Sequence, residues 1–97
     1  MLEKVKLAWN RTDTTFDSEI TDLISSAGLD LGIAGVVLPE EYTTIAERAV
    51  TLYCLFHLEL EHGDPVKAER FKTVYDENKA QLSMATGYTV WQSSESS

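Results

Sequence analysis

Cys54, His57 and Glu61 stand three and four residues apart, the spacing that lines side chains along one flank of a helix. A thiol, an imidazole and a carboxylate so aligned are the parts of a nucleophilic relay. Such a relay also needs an activated thiolate and an oxyanion pocket, and a mid-helix cysteine far from any helix N-terminus has neither. A buried structural cysteine beside a helix-surface histidine is the expectation. A metal site would draw on His57, Glu61 and His62, but the paired-histidine zinc motif is absent and no second cysteine accompanies Cys54. His62 instead suits the negative end of a helix dipole. No catalytic, metal-binding or cofactor-binding residue is expected, and no enzymatic activity.

The other chemistry-bearing groups read similarly. Asp13, Asp17, Glu19, Asp22 and Asp30 could supply paired carboxylates for acid/base work, yet they fall mostly on the polar side of a helix, facing solvent or another subunit. Gly28-Leu-Asp-Leu-Gly32 lacks the strand, glycine pattern and Lys-Ser/Thr pair of a phosphate cradle. Trp9, Tyr88 and Trp91 could stack on bases. With 16 acidic against 8 basic side chains, a net charge of −8, the chain does not offer the phosphate-neutralising surface that nucleic-acid binding requires. Core packing or partner docking is the better account of these aromatics.

These groups must be positioned by one compact domain, since 97 residues leave no room for a second. Met1-Leu-Glu-Lys lacks the apolar core of a secretory signal and a lone cysteine closes no intrachain disulfide, so an intracellular, soluble protein is expected. The apolar stretch from Ala49 to Leu60 is interrupted by Thr51, His57 and Glu59 and is too short to span a bilayer.

Leu2 to Trp9 predicts a short first helix, and Asn10 to Thr15 a turn. Thr14-Thr-Phe-Asp17 has capping-box spacing, and Phe16, Ile20, Leu23, Ile24, Ala27 and Leu31 form an amphipathic stripe. Gly28, Gly32 and Gly35 weaken that helix, and Ile33 to Leu38 reads as an apolar connector. Pro39, Glu40 and Glu41 suit a helix start. Tyr42, Ile45, Ala46, Ala49, Tyr53, Phe56 and Leu60 form the main stripe of the next helix, while Val50, Leu52, Leu55 and Leu58 spread apolar surface round most of its circumference. Such a helix must be central or covered by another subunit. Gly63 reads as its stop, Asp64 as the next cap and Pro65 as the next first residue. A last helix continues through Phe71, Val74, Tyr75, Asn78 and Leu82 to a break at Thr86-Gly87. The expected fold is all-α, a small bundle of one short and three longer helices over residues 1–87, with residues 88–97 as an extended or disordered arm.

Charge is divided unevenly along this plan. Residues 16–41 hold six acids and no base, whereas residues 65–97 balance four bases against four acids. Glu19 and Asp22 share one flank of the early helix, and Lys72 and Lys79 one flank of the last. Independent solvation of both flanks is one reading. A head-to-tail contact between subunits is the other, with Tyr88 and Trp91 in the arm as further candidate interface residues.

Taken in order, Leu2-Glu-Lys-Val-Lys-Leu-Ala8, Phe16-Asp-Ser-Glu-Ile-Thr-Asp-Leu-Ile24, Asp30-Leu-Gly-Ile-Ala-Gly35, Ala49-Val-Thr-Leu-Tyr53, Asp64-Pro65 with Glu69-Arg-Phe71, Tyr75 and Leu82-Ser83 resemble the head-tail connector, or adaptor, proteins of tailed double-stranded DNA phages and prophages. The resemblance covers residues 1 to about 84 and lies in the succession of segments. It implies a non-enzymatic structural subunit, made in the bacterial host cytoplasm, that forms a homo-oligomeric ring of about a dozen copies at the virion head-tail junction. It further implies contact with the portal and tail-completion proteins, without sequence-specific nucleic acid or membrane. Leu58-Glu-Leu-Glu-His62 is more acidic than the resemblance leads one to expect, and the arm from Tyr88 is individual. The alternative is a small intracellular helical regulatory or protein-interaction module.

Overall fold

A computed structural model describes residues 1–32 and 40–86, with side chains over 1–32 and 44–82. The described residues form four helices and no strand: α1 (Leu2–Ala8), α2 (Asp17–Leu31), α3 (Glu40–His62) and α4 (Pro65–Thr86). The all-α bundle is as the sequence predicts. The expectations for Ile33 to Pro39 and for the arm beyond Thr86 lie outside the described residues.

The end of α2 and the α3–α4 turn follow local chemistry, and the start of α2 does not. Gly32 closes α2 in the left-handed conformation, φ 71°, and its amide donates to the carbonyls of Gly28 and Leu29. Gly28 does not interrupt the helix. At the α3–α4 turn, the Val66 amide donates to Asp64 Oδ1 at 2.9 Å, directly ahead of Pro65, so the predicted cap is formed. Gly63 leaves space there for the Glu59 carboxylate, which a Cβ would strike. Glu59 Oε1 in turn accepts the Asp64 amide at 2.9 Å.

The exception is the capping box. The N-cap of α2 is Phe16, and no side chain caps the helix. Asp17 is occupied elsewhere: its Oδ1 lies 3.0 Å from Lys6 Nζ. Thr15 hydrogen-bonds the Asp13 carboxylate, which holds that carboxyl below its usual range. The turn closes instead through the backbone, with the Asp17 amide donating to the Thr14 carbonyl at 3.2 Å.

The central helix is α3, which packs against all three others, most extensively against the antiparallel α4. Its buried face is Ala46, Ala49, Val50, Cys54, Leu55 and Leu58. This corrects the stripe read from the sequence. Tyr53 and Phe56 are only partly buried and Leu60 is 51% exposed. Three neighbours pull the buried sector round by part of a turn, so the side carrying Leu60 is left uncovered. Val5 of α1, Ile20, Ala27 and Leu31 of α2, and Tyr75 and Leu82 of α4 complete the core.

Candidate functional site

Cys54 is fully buried, and burial pushes its thiol up to about 12. At neutral pH it is protonated and shielded, the reverse of an activated nucleophile. The His57 ring lies 4.5 Å from that of Tyr53 and 4.6 Å from that of Phe56, packed among aromatics. Among the described residues no three His, Cys, Asp or Glu side chains are grouped to hold a metal ion. No helix among them is long and apolar enough to cross a membrane.

The polar groups that the fold does bring together tie helix to helix. Both carboxylate oxygens of Glu19 lie 2.9 Å from His62 Nε2, joining the start of α2 to the end of α3. The same imidazole sits 4.6 Å from the Phe16 ring, while the Arg11 guanidinium covers Trp9 at 4.5 Å and Phe16 at 5.1 Å. Trp9 Nε1–H donates to Glu59 Oε2 at 3.2 Å, so one carboxylate links α1, α3 and the α3–α4 turn. At the other end of α2 the Tyr75 hydroxyl donates to Asp30 Oδ2, and Lys79 Nζ donates to the same oxygen at 3.2 Å. Burial raises the Asp30 carboxyl, but the Tyr75 and Lys79 bonds outweigh it and hold the group below its usual range. Burial and the Asp30 charge together raise the Tyr75 hydroxyl far above its own.

The interface candidates are therefore placed as follows. Glu19 faces His62, Lys72 pairs with Asp76 one turn along α4 at 3.2 Å, and Lys79 holds Asp30. Asp22 is exposed on α2. Within one chain the Glu19 and Asp22 flank does not meet Lys72 or Lys79. Tyr88 and Trp91 lie outside the described residues.

Sequence reasoning missed several surface and buried features. Leu7, Leu29 and Val66 are 76%, 73% and 60% exposed, and with Leu60 they put one exposed apolar side chain on each of the four helices. Lys6 is buried to 6% exposure beside Asp17. Its neighbours Val5 and Leu7 alternate in burial, so helical spacing alone carried no warning. Asn78 is buried on the face of α4 where the sequence places it, and what spacing could not show is that its Nδ2 has no hydrogen-bond partner among the described residues. Trp9, Leu55, Glu59, Lys67, Arg70 and Phe71 surround a groove of about 340 Å³ where α1, α3 and α4 converge.

Among the described residues, Trp9 with Glu59, Glu19 with His62, Asp30 with Tyr75 and Lys72 with Asp76 pair across and along the helices. A family model described as "Phage connector protein" matches residues 1–89. No curated protein and no solved structure matches the chain.

Proposed function

This chain belongs to the phage connector protein family, and from that premise we propose that it is a subunit of a ring beneath the portal that joins the DNA-filled head to the tail. The match over residues 1–89 carries the reading, because it spans all four helices rather than one ordinary helix signature. The family is a structural one. The portal above and the tail-completion proteins below are the proposed partners, and the virion head-tail junction is the proposed location.

The physical character of the chain supports this role. A net charge of −8 favours a lumen through which DNA passes without sticking. Exposed leucines on α1, α2 and α3 and an exposed valine on α4 offer the apolar contact that a ring subunit makes with its neighbours. In the proposed contact, Glu19 and Asp22 of one subunit face Lys72 and Lys79 of the next, and the Tyr88 to Trp91 arm docks on the portal or an adjacent subunit. Asp22 and Lys72 are the readier pair. Exposed pairs such as Lys72 with Asp76 are worth only roughly 0–1 kcal/mol, so exchanging one for a neighbour's carboxylate costs little. Lys79 is held more firmly by Asp30 beside Tyr75.

The test is co-sedimentation of purified, labelled chain with portal-bearing, DNA-filled heads. Saturable binding in multiple copies per head, weakened by Asp22→Lys with Lys72→Glu left to restore it, is the expected result. Binding to heads lacking portal, or none to heads bearing it, would overturn the reading.

A further inference from the structure

The groove between α1, α3 and α4 combines an apolar floor with a cationic lip. Leu55 is buried beneath it, and Trp9 and Phe71 are half-buried along it. Glu59 is already engaged by the Trp9 indole and the Asp64 amide. Lys67 and Arg70 are exposed, and among the described residues neither pairs with a carboxylate. In a chain of net charge −8, two open cations beside an aromatic groove mark a place for an acidic, aromatic segment.

The chain carries such a segment. Beyond Lys79 its one charged residue is Glu95, preceded by the aromatics Tyr88 and Trp91. We infer that the groove receives residues 88–95 of a second copy of this chain, with Trp91 against Trp9, Leu55 and Phe71 and Glu95 at Lys67 and Arg70. The inference rests on the proposed assembly of copies and assigns the arm its receptor.

Reach selects a second copy over the same one. Phe71, which Trp91 is to meet, lies 15 residues before the end of α4 at Thr86, about 22 Å along the helix axis. Trp91 follows Thr86 by five residues, which span at most about 18 Å when pulled straight. A path back to its own groove must also reverse direction after Thr86, which leaves the arm's aromatic short of it, while a neighbour set head-to-tail can bring the groove to it. The volume of about 340 Å³ is at the lower end of the range of about 300–1,000 Å³ typical of ligand pockets and suits one large aromatic side chain.

Disulfide trapping tests this in full-length chains carrying Cys54→Ala, so that no native thiol competes. One preparation carries Asn10→Cys, at a position that also lines the groove, and another Gln92→Cys in the arm. The two are mixed on portal-bearing heads and oxidised. A linked pair containing one chain of each kind is expected, and a chain carrying both substitutions should give ladders of linked subunits. Closure within single chains would overturn the inference. Assembly on the heads without any link would overturn it while leaving the ring intact, and failure to assemble would overturn both. In the native-cysteine chain, Lys67→Glu with Arg70→Glu should weaken subunit association about tenfold or more, and Glu95→Lys should restore it. An unchanged affinity, or a loss that Glu95→Lys does not repair, would contradict the assignment.

Discussion

Removing the Tyr75 hydroxyl should destabilise the bundle in a way that depends on pH at both ends of the scale. Tyr75 is 4% exposed and donates to Asp30, whose side chain remains 40% exposed. A hydrogen bond to a charged group contributes roughly 1.5–3 kcal/mol, but water can reach Asp30 and replace part of what Tyr75→Phe removes, leaving about 1–1.5 kcal/mol. For a domain of this size that corresponds to a fall in Tm of about 5–10 °C. The Asp30 carboxyl is held below its ordinary 3.8 in the folded state, so its contribution is complete above that value and is lost as pH falls through the folded value. The gap between native and Tyr75→Phe should be full at pH 7 and narrow in acid below about pH 4. The Tyr75 hydroxyl is raised above its ordinary 10.0, so its contribution is present below that value and declines as pH rises beyond it. Melts followed by circular dichroism between about pH 2.5 and pH 11 read both limbs. An unchanged Tm at neutral pH, with parallel pH profiles for both proteins, would show that the Tyr75–Asp30 bond contributes nothing to the fold.

Three further outcomes follow from the helix ends and the core. Gly28→Ala should raise stability by about 0.5–1 kcal/mol in thermal or urea melts, because α2 runs through this position and a Cβ there meets nothing within 4 Å. Asp64→Ala should cost about 1 kcal/mol through loss of the bond to the Val66 amide, and an unchanged melt would show that the cap contributes nothing. Cys54 should resist thiol-reactive labelling in the folded protein at neutral pH and react on unfolding, while rapid native-state labelling would contradict its burial and its thiol being raised to about 12.

How far the sequence foretells this arrangement depends on how local each cause is. The α3–α4 turn is legible because Gly63, Asp64 and Pro65 act within a few residues of one another. Thr14 misleads because a capping box presumes that Asp17 is free, whereas its carboxylate faces Lys6 from another helix. The buried face of α3 is hard to place for a related reason. With apolar side chains all round, the helix offers several acceptable faces, and the positions of α1, α2 and α4 decide among them. Glu19 with His62, Trp9 with Glu59 and Asp30 with Tyr75 join residues 43, 50 and 45 positions apart. No periodicity encodes such pairs; they follow from how the helices cross. The interface candidates Glu19 and Lys79 were singled out by charge alone, which does not reveal that each already holds a partner in its own chain. The family, by contrast, is legible from the ordered succession of short segments, which the match over residues 1–89 spans.

The connector role is tested most directly by imaging the particles made from a phage or prophage genome in which only the coding sequence of this chain is deleted. DNA-filled, portal-bearing heads and free tails that fail to join are expected, with joining restored when the purified chain is added. Tailed, infectious particles at normal yield in its absence would contradict it.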